Sequence, residues 1–328
     1  MVGRFMGKKD ALIRKYFSND ERFADLWNGY CGKQLLEADK LINMEPHGIQ
    51  KRRRDNKLKE MEHDILKESC RTGMRGIFGI ENQEVVDYRM VLRSLSYTLD
   101  AYERQVESLQ DKHKRENDLS GAEYLSGISR KDRLYPVAIL VVYFGVKSWN
   151  GARELYDLLN INKNTEEYRS LYYNYQINLL DVHRFQHIER FKTDIRLVFG
   201  FLQCRLNKKK LKEFIKDNEK EFRCMKEDAY DVIQAYGNIS SLRKIKDECK
   251  VEGGIDMCRA WNEIIKDERK KGEKKGEKRG EKRGEKRGED RMSQLIQALA
   301  GENRMEDVVK AAQNKTYRTQ LYKMYGIS

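Results

Sequence analysis

The chain has 328 residues, a formal net charge of +13, 36% charged and 39% hydrophobic residues, and two prolines. That length holds one large domain or two modest ones with a sizeable core, and the basic balance favours a polyanionic partner such as nucleic acid. Residues 1–9 contain no apolar leader segment, the longest apolar run (Val137 to Phe144) is too short to cross a bilayer as a helix, and the six cysteines form no C-x-x-C pair. These features argue against a membrane span, a zinc ribbon and a secreted disulfide scaffold, and predict a cytoplasmic protein with reduced thiols.

Residues 8–17 read as a short amphipathic helix. Ser18-Asn-Asp-Glu21 has the form of a capping box for a second helix, which presents Phe23, Leu26, Trp27 and Tyr30 and ends near Gly29 and Gly32. Residues 34–45 suit a loop entering a strand. Residues 48–59 are mostly polar around Lys51, Arg52, Arg53 and Arg54, either a solvated loop or one that contacts phosphates. Glu60 to Lys67 fits a strand or a helix, and Cys70-Arg-Thr-Gly73 is a turn. Met74 to Gln83 is then an apolar strand with a polar end, so two strands joined at Gly73 would form a hairpin.

Between Asp87 and Leu109 apolar residues recur every three or four positions, the pattern of a long amphipathic helix, with Arg89, Arg93 and Tyr97 on a flanking stripe. Residues 133–145 form an apolar strand with Pro136 at its start, where a missing N–H is tolerated. Strand, long helix and buried strand make a βαβ crossover, so part of the sheet is expected to be parallel. A helix over 152–160, an edge strand over 175–181 and a run of helices from 191 to 267 follow.

The Lys-Gly-Glu-Lys/Arg repeat over 268–291 has a period of four, so like charges repel at i, i+4 and a glycine recurs on every turn. Each glycine costs a helix about 1 kcal/mol against alanine, which predicts a flexible basic linker here. A small helical module closes the chain at 292–328, and its size makes homo-oligomerisation through these C-terminal helices an expectation.

The chemistry-bearing stretch is the end of the strand at 74–83. Side chains alternate faces, so Glu81 and Gln83 point the same way. The plain reading is a strand running out into a polar loop. The sharper one is a site in which Asp64, brought close by the hairpin, and Glu81 hold Mg²⁺, while Gln83 orients water or a phosphate. Asp55, Asp39 and Glu62 compete with Asp64 as the first acid. Arg93 either reaches the scissile phosphate or pairs with Asp100 or Glu103. His183 and His187 have the i, i+4 spacing of helical zinc ligands, but no accompanying glutamate or nearby cysteine. No G-K-[ST] phosphate loop is present.

Asp64, the run Phe78-Gly-Ile-Glu81-Asn-Gln83, the helix with Arg93, Tyr97, Tyr102 and Gln105, and the Pro136 strand together resemble the PD-(D/E)XK nucleases. Specifically, they resemble the Rpn-type recombination-promoting nuclease and putative transposase branch, over roughly residues 8–265. The resemblance implies an α/β, restriction-endonuclease-like core with a mixed sheet flanked by helices and a helical C-terminal extension. It also implies Mg²⁺-dependent DNA cleavage linked to recombination or transposition. Gln83 stands where the wider superfamily has lysine, a variant common in this branch, which leaves the site more dependent on the metal. The expected domains are a nuclease core (1–150), a helical extension packed on it (151–267), the repeat linker (268–291) and the C-terminal module (292–328). Expected catalytic residues are Asp64, Glu81, Gln83 and Arg93, with Asp64 and Glu81 on the metal and Arg52, Arg53, Arg54, Arg89 and Tyr97 contacting DNA. The competing expectation is a catalytically inactive nucleic-acid-binding or recombination-accessory protein with the same fold.

Overall fold

A computed structural model describes residues 2–44, 47–50, 59–62, 65–71, 73–161 and 166–327. The chain divides into two compact units, 1–260 and 261–328.

In the first unit, α1 (Val2–Ser18) leads into α2 (Asp20–Cys31). The capping residue is Asn19, whose side chain accepts from Arg22 N at 3.0 Å, while Ser18 Oγ turns back to Arg14 O at 2.7 Å. The cap therefore sits one residue beyond the expected Ser18, because either polar side chain can satisfy a free helix N–H. Gly29 lies inside α2, where a Cβ would meet the Phe191 ring at 2.3 Å; Gly32 ends the helix in the left-handed region at φ 66°.

Next come β1 (Leu41–Asn43), β2 (His47–Gln50), β3 (Lys59–Glu62), β4 (Ile65–Arg71) and β5 (Met74–Gln83). β2 and β3 pair with each other, apart from the main sheet. The expected hairpin is β4–β5, antiparallel from Ile65 opposite Ile80 to Arg71 opposite Met74, but its first strand is shifted along the chain and takes in Cys70 and Arg71, expected in the turn. The long helix α3 (Met90–Glu116) and the short α4 (Gly121–Ser126) precede β6 (Val137–Tyr143) and β7 (Asn178–Asp181). The five-stranded sheet has the order β1-β4-β5-β6-β7, with β5, β6 and β7 parallel as the crossover requires. Residues 152–160, expected as a helix, hold one 3₁₀ turn at Leu155–Leu158.

α5 (Ile195–Cys204), α6 (Lys208–Asp217), α7 (Glu219–Phe222), α8 (Glu227–Gly237) and α9 (Ser240–Ile245) follow, then the short pair β8 (Lys250–Val251) and β9 (Gly254–Ile255). Arg22 fastens part of this bundle. Only 3% exposed, it donates to Asp194 at 2.6 and 2.7 Å and to Asp228 at 2.5 and 2.9 Å, and its guanidinium lies 4.1 Å from the centre of the Tyr16 ring. One buried cation thus joins α2 to α8 and to the residue that opens α5.

α3 lies on the sheet through Met90, Val91, Tyr97 and Ala101, with Ser94 and Thr98 also buried. This is not the apolar stripe that periodicity singles out: Tyr88, Leu92 and Leu99 remain 61%, 48% and 51% exposed. At its far end, His113 is held between Asp118 (Nδ1, 2.7 Å) and Asp132 (Nε2, 2.9 Å), and these hydrogen bonds raise its pKa above the ordinary 6.5. The charged imidazolium ties residues 118–132 to the helix. Its stabilising effect is complete below the unfolded value near 6.5 and is lost as pH rises through the raised folded value. Melting temperature should therefore fall across that window in the wild type and stay flatter in His113→Gln. Parallel pH profiles for the two proteins would remove this role.

α10 (Met257–Gly301) crosses the whole repeat as a continuous helix, where composition predicts a flexible linker. A Cβ added at Gly272, Gly276, Gly280, Gly284 or Gly288 would meet nothing within 4 Å. Replacing Gly276, Gly280 and Gly284 with alanine should therefore stabilise the helix by about 1 kcal/mol per site. Stronger amide-exchange protection over 270–290 would register the gain, and unchanged protection would contradict it. In the second unit, α11 (Met305–Gln313) and α12 (Lys315–Met324) pack with the end of α10 around Leu295, Leu299, Ala311 and Leu321. Among the described residues no helix is long and apolar enough to cross a membrane.

Candidate active site

β5 brings two environments to one strand. Phe78 packs on Trp27 at 5.2 Å between ring centres, on the α2 side of the sheet. Ile77 belongs instead to the cluster of Leu66, Met90, Tyr97, Ile139, Val141 and Tyr143 beneath α3. At Gly79, on the same face, a Cβ would come within 2.6 Å of Ile139 Cδ1, so a larger residue here would have to push that side chain aside. Two residues on, that apolar face becomes polar at Glu81 and Gln83.

Glu81 is 3% exposed. Its Oε1 accepts from Gln83 Nε2 at 2.8 Å and from Arg93 Nη2 at 2.5 Å. Arg93 also donates to Tyr97 OH at 2.8 Å and, through Nη1, to Asp87 Oδ2 at 3.2 Å. Thus the first turn of α3 supplies the cation, and the β5–α3 connection adds a second carboxylate. Burial works against the Arg93 charge, but Glu81, Tyr97 and Asp87 more than offset it and hold the guanidinium above its ordinary pKa. Burial likewise opposes ionisation of Asp87, while the Arg89 backbone N–H and Arg93 keep its carboxyl below the ordinary value. Both are in their charged forms at neutral pH.

Arg93 therefore pairs with Glu81 and Asp87, rather than with Asp100 or Glu103. Tyr97 is buried at 4% exposure with its hydroxyl on Arg93, whereas Arg89 is 73% exposed. Asp64, Asp55, Arg52, Arg53 and Arg54 lie outside the described residues. Glu62 ends β3. Asp39 is not brought to the site. It precedes β1, whose Leu41 is opposite Ser69, itself opposite Gly76. Gly76 is five residues from Glu81, about 17 Å along a strand.

Asp87, Lys9, Asp10 and Glu84 are neighbours that sequence reasoning missed. Lys9 forms an ion pair with Glu84, immediately after Gln83. Half-buried Asp10 has its pKa raised by burial, against the pull of Arg14 and with Glu84 and Arg93 also acting on it. The helical pattern of residues 8–17 showed α1, but nothing in its spacing showed which end of the sheet it approaches.

The donor set at Glu81 and Asp87 is hard oxygen, the kind Mg²⁺ takes, and both carboxylates are bridged by a cation in the form of Arg93. Among the described residues one His/acid group has close ligand atoms: His113, Glu116 and Asp118, within 4.8 Å of one another. It lies some twenty residues along α3 from Arg93, about 30 Å, and both its ring nitrogens are already engaged by Asp118 and Asp132. His183 and His187 sit in a turn and loop, where helical i, i+4 geometry does not apply.

A carboxylate, a guanidinium and a carboxamide thus gather where β5 ends, at the rim of an apolar sheet face. The chain belongs to the family described as putative transposase, YhgA-like, whose pattern matches residues 7–231. No curated protein and no solved structure matches it.

Proposed function

We propose that this protein is a metal-dependent DNA endonuclease linked to recombination or transposition, acting at the Glu81 end of β5. The supporting observation is the buried Glu81 carboxylate, held by Gln83 and Arg93 at the rim of an otherwise apolar sheet face. Polar groups are costly there unless they serve one another or a ligand, and such clusters gather at functional sites. In this reading Glu81 and Asp64 are the metal ligands. A bound divalent metal supplies Lewis acidity and lowers the pKa of a water. Gln83 orients that water or a phosphate oxygen through its carboxamide. Arg93 offsets charge on the phosphate in the transition state, with Tyr97 and Asp87 fixing its guanidinium plane. Supercoiled plasmid should be nicked with Mg²⁺ and left intact with a chelator. No nicking with Mg²⁺ or Mn²⁺ would sink the assignment.

One observation favours a second reading, a non-catalytic DNA-binding or recombination-accessory protein. Oε1 of Glu81 already accepts from two donors, one of them a cation. That reading expects salt-sensitive DNA binding, unchanged by Mg²⁺, without nicking.

A further inference from the structure

On α3 and the turn before it, Tyr88, Leu92, Leu95, Leu99, Tyr102 and Val106 follow one another in alternating steps of four and three. That 3.5-residue period is the seam of a left-handed coiled coil, with Leu92, Leu99 and Val106 at a positions and Tyr88, Leu95 and Tyr102 at d positions. The sheet touches only one edge of it: Leu95, Tyr102 and Val106 are partly buried, and the Tyr102 hydroxyl accepts from Val137 N at 3.3 Å at the start of β6. α3 lies on the sheet through its other side, leaving Tyr88, Leu92 and Leu99 about half exposed or more, with Val85 beside them at 64%. Several exposed apolar residues along one side of a helix mark an interaction surface.

The charges beside the seam say what covers it. Among its flanking e and g positions only two are charged, Arg89 and Glu103, and both are at e. Arg89 is 73% exposed with its Nε 3.5 Å from Asp87, and Glu103 is exposed with no ion-pair partner among the described residues. In a parallel pair of helices e meets g of the other chain, and neither charge would find its opposite. In an antiparallel pair e faces e, so Arg89 meets Glu103 of a second copy twice over. The same arrangement sets Leu95 against Leu99 and Leu92 against Tyr102 around an axis near Ser96.

We propose that two copies of this chain pair through the outer face of α3, antiparallel about that twofold axis. An isologous contact of this kind closes on itself and makes a dimer rather than a fibre. The proposal does not depend on nuclease activity.

Analytical ultracentrifugation of the full chain tests it. The wild type should sediment as twice 38.9 kDa, and Leu92→Glu/Leu99→Glu as 38.9 kDa. Arg89→Glu alone and Glu103→Arg alone should each weaken the dimer about tenfold, and the two together should restore it to within about twofold. All four positions are exposed or at the edge of exposure, and circular dichroism melting checks that each variant folds. A monomeric wild type would overturn the proposal. So would a dimer indifferent to Leu92→Glu/Leu99→Glu, which would place pairing elsewhere, including the C-terminal helices. A double reversal no better than the single ones would also overturn it.

Discussion

Replacing Glu81 with alanine is expected to lower Mg²⁺-dependent nicking of supercoiled plasmid by about 10³-fold or more, the scale of losing a group that holds transition-state charge. The fold should survive, because Arg93 keeps Asp87 and Tyr97 as partners when Glu81 is gone. DNA affinity in chelator should change little, since the phosphate-contacting cations are untouched, and the loss of one negative charge favours the polyanion slightly. Glu81→Gln separates chemistry from shape: it keeps the volume and a hydrogen-bonding oxygen but offers the metal no charge. Equal nicking by Glu81→Ala and the wild type would remove Glu81 from the site, even if the protein remained a nuclease.

The second large effect concerns Arg93. In Arg93→Ala the carboxylate of Glu81, 3% exposed, would keep Gln83 Nε2 but lose the Arg93 guanidinium. Stranding one member of a buried pair costs about 3–5 kcal/mol, but the Arg93 side chain is 35% exposed, so solvent screening brings the expected loss to about 1–3 kcal/mol. Adding Glu81→Gln to Arg93→Ala should recover much of that stability by removing the charge that Arg93 balanced. Urea denaturation of the four proteins in chelator closes the double-mutant cycle. A coupling energy near zero would mean that the pair does not act as one. Mg²⁺ should also stabilise Arg93→Ala more than the wild type, because the competing guanidinium is absent.

The centre of the fold is readable from the chain because its signals agree. An apolar strand, a long 3.6-residue pattern and a proline-led apolar run leave few arrangements besides the β5–α3–β6 crossover. Periodicity was less informative about which side of α3 meets the sheet. The apolar row at Leu92 and Leu99 is more regular than the side beneath it, where Ser94 and Thr98 fit close under the helix. The partner of Arg93 was equally hidden. Acids two or three turns further along the helix, Asp100 and Glu103, are the natural choice, yet Glu81 is twelve positions back on a strand, and the return at Asp87 brings it within reach. The cap at Asn19 shifted by one for a simpler reason: Ser18, Asn19 and Asp20 are all capable of the task. In the repeat, glycine propensities predict a weak isolated helix, whereas the chain runs helical from Met257 through Gly301.

The Arg22 clamp bears on how this protein can be cut into pieces. A fragment ending at residue 150 would contain the Glu81 cluster but lack β7, Asp194 and Asp228. Its Arg22 would lose both carboxylates, and the faces of α1 and α2 that α8 and α5 cover would be laid open to water, a large loss against the marginal stability of a domain. Such a fragment should be recovered as insoluble or protease-sensitive material, whereas a boundary after Ala260 keeps every partner of Arg22. For expression trials and limited proteolysis alike, the smallest unit worth making is set by an arginine in the second helix rather than by the residues around Glu81.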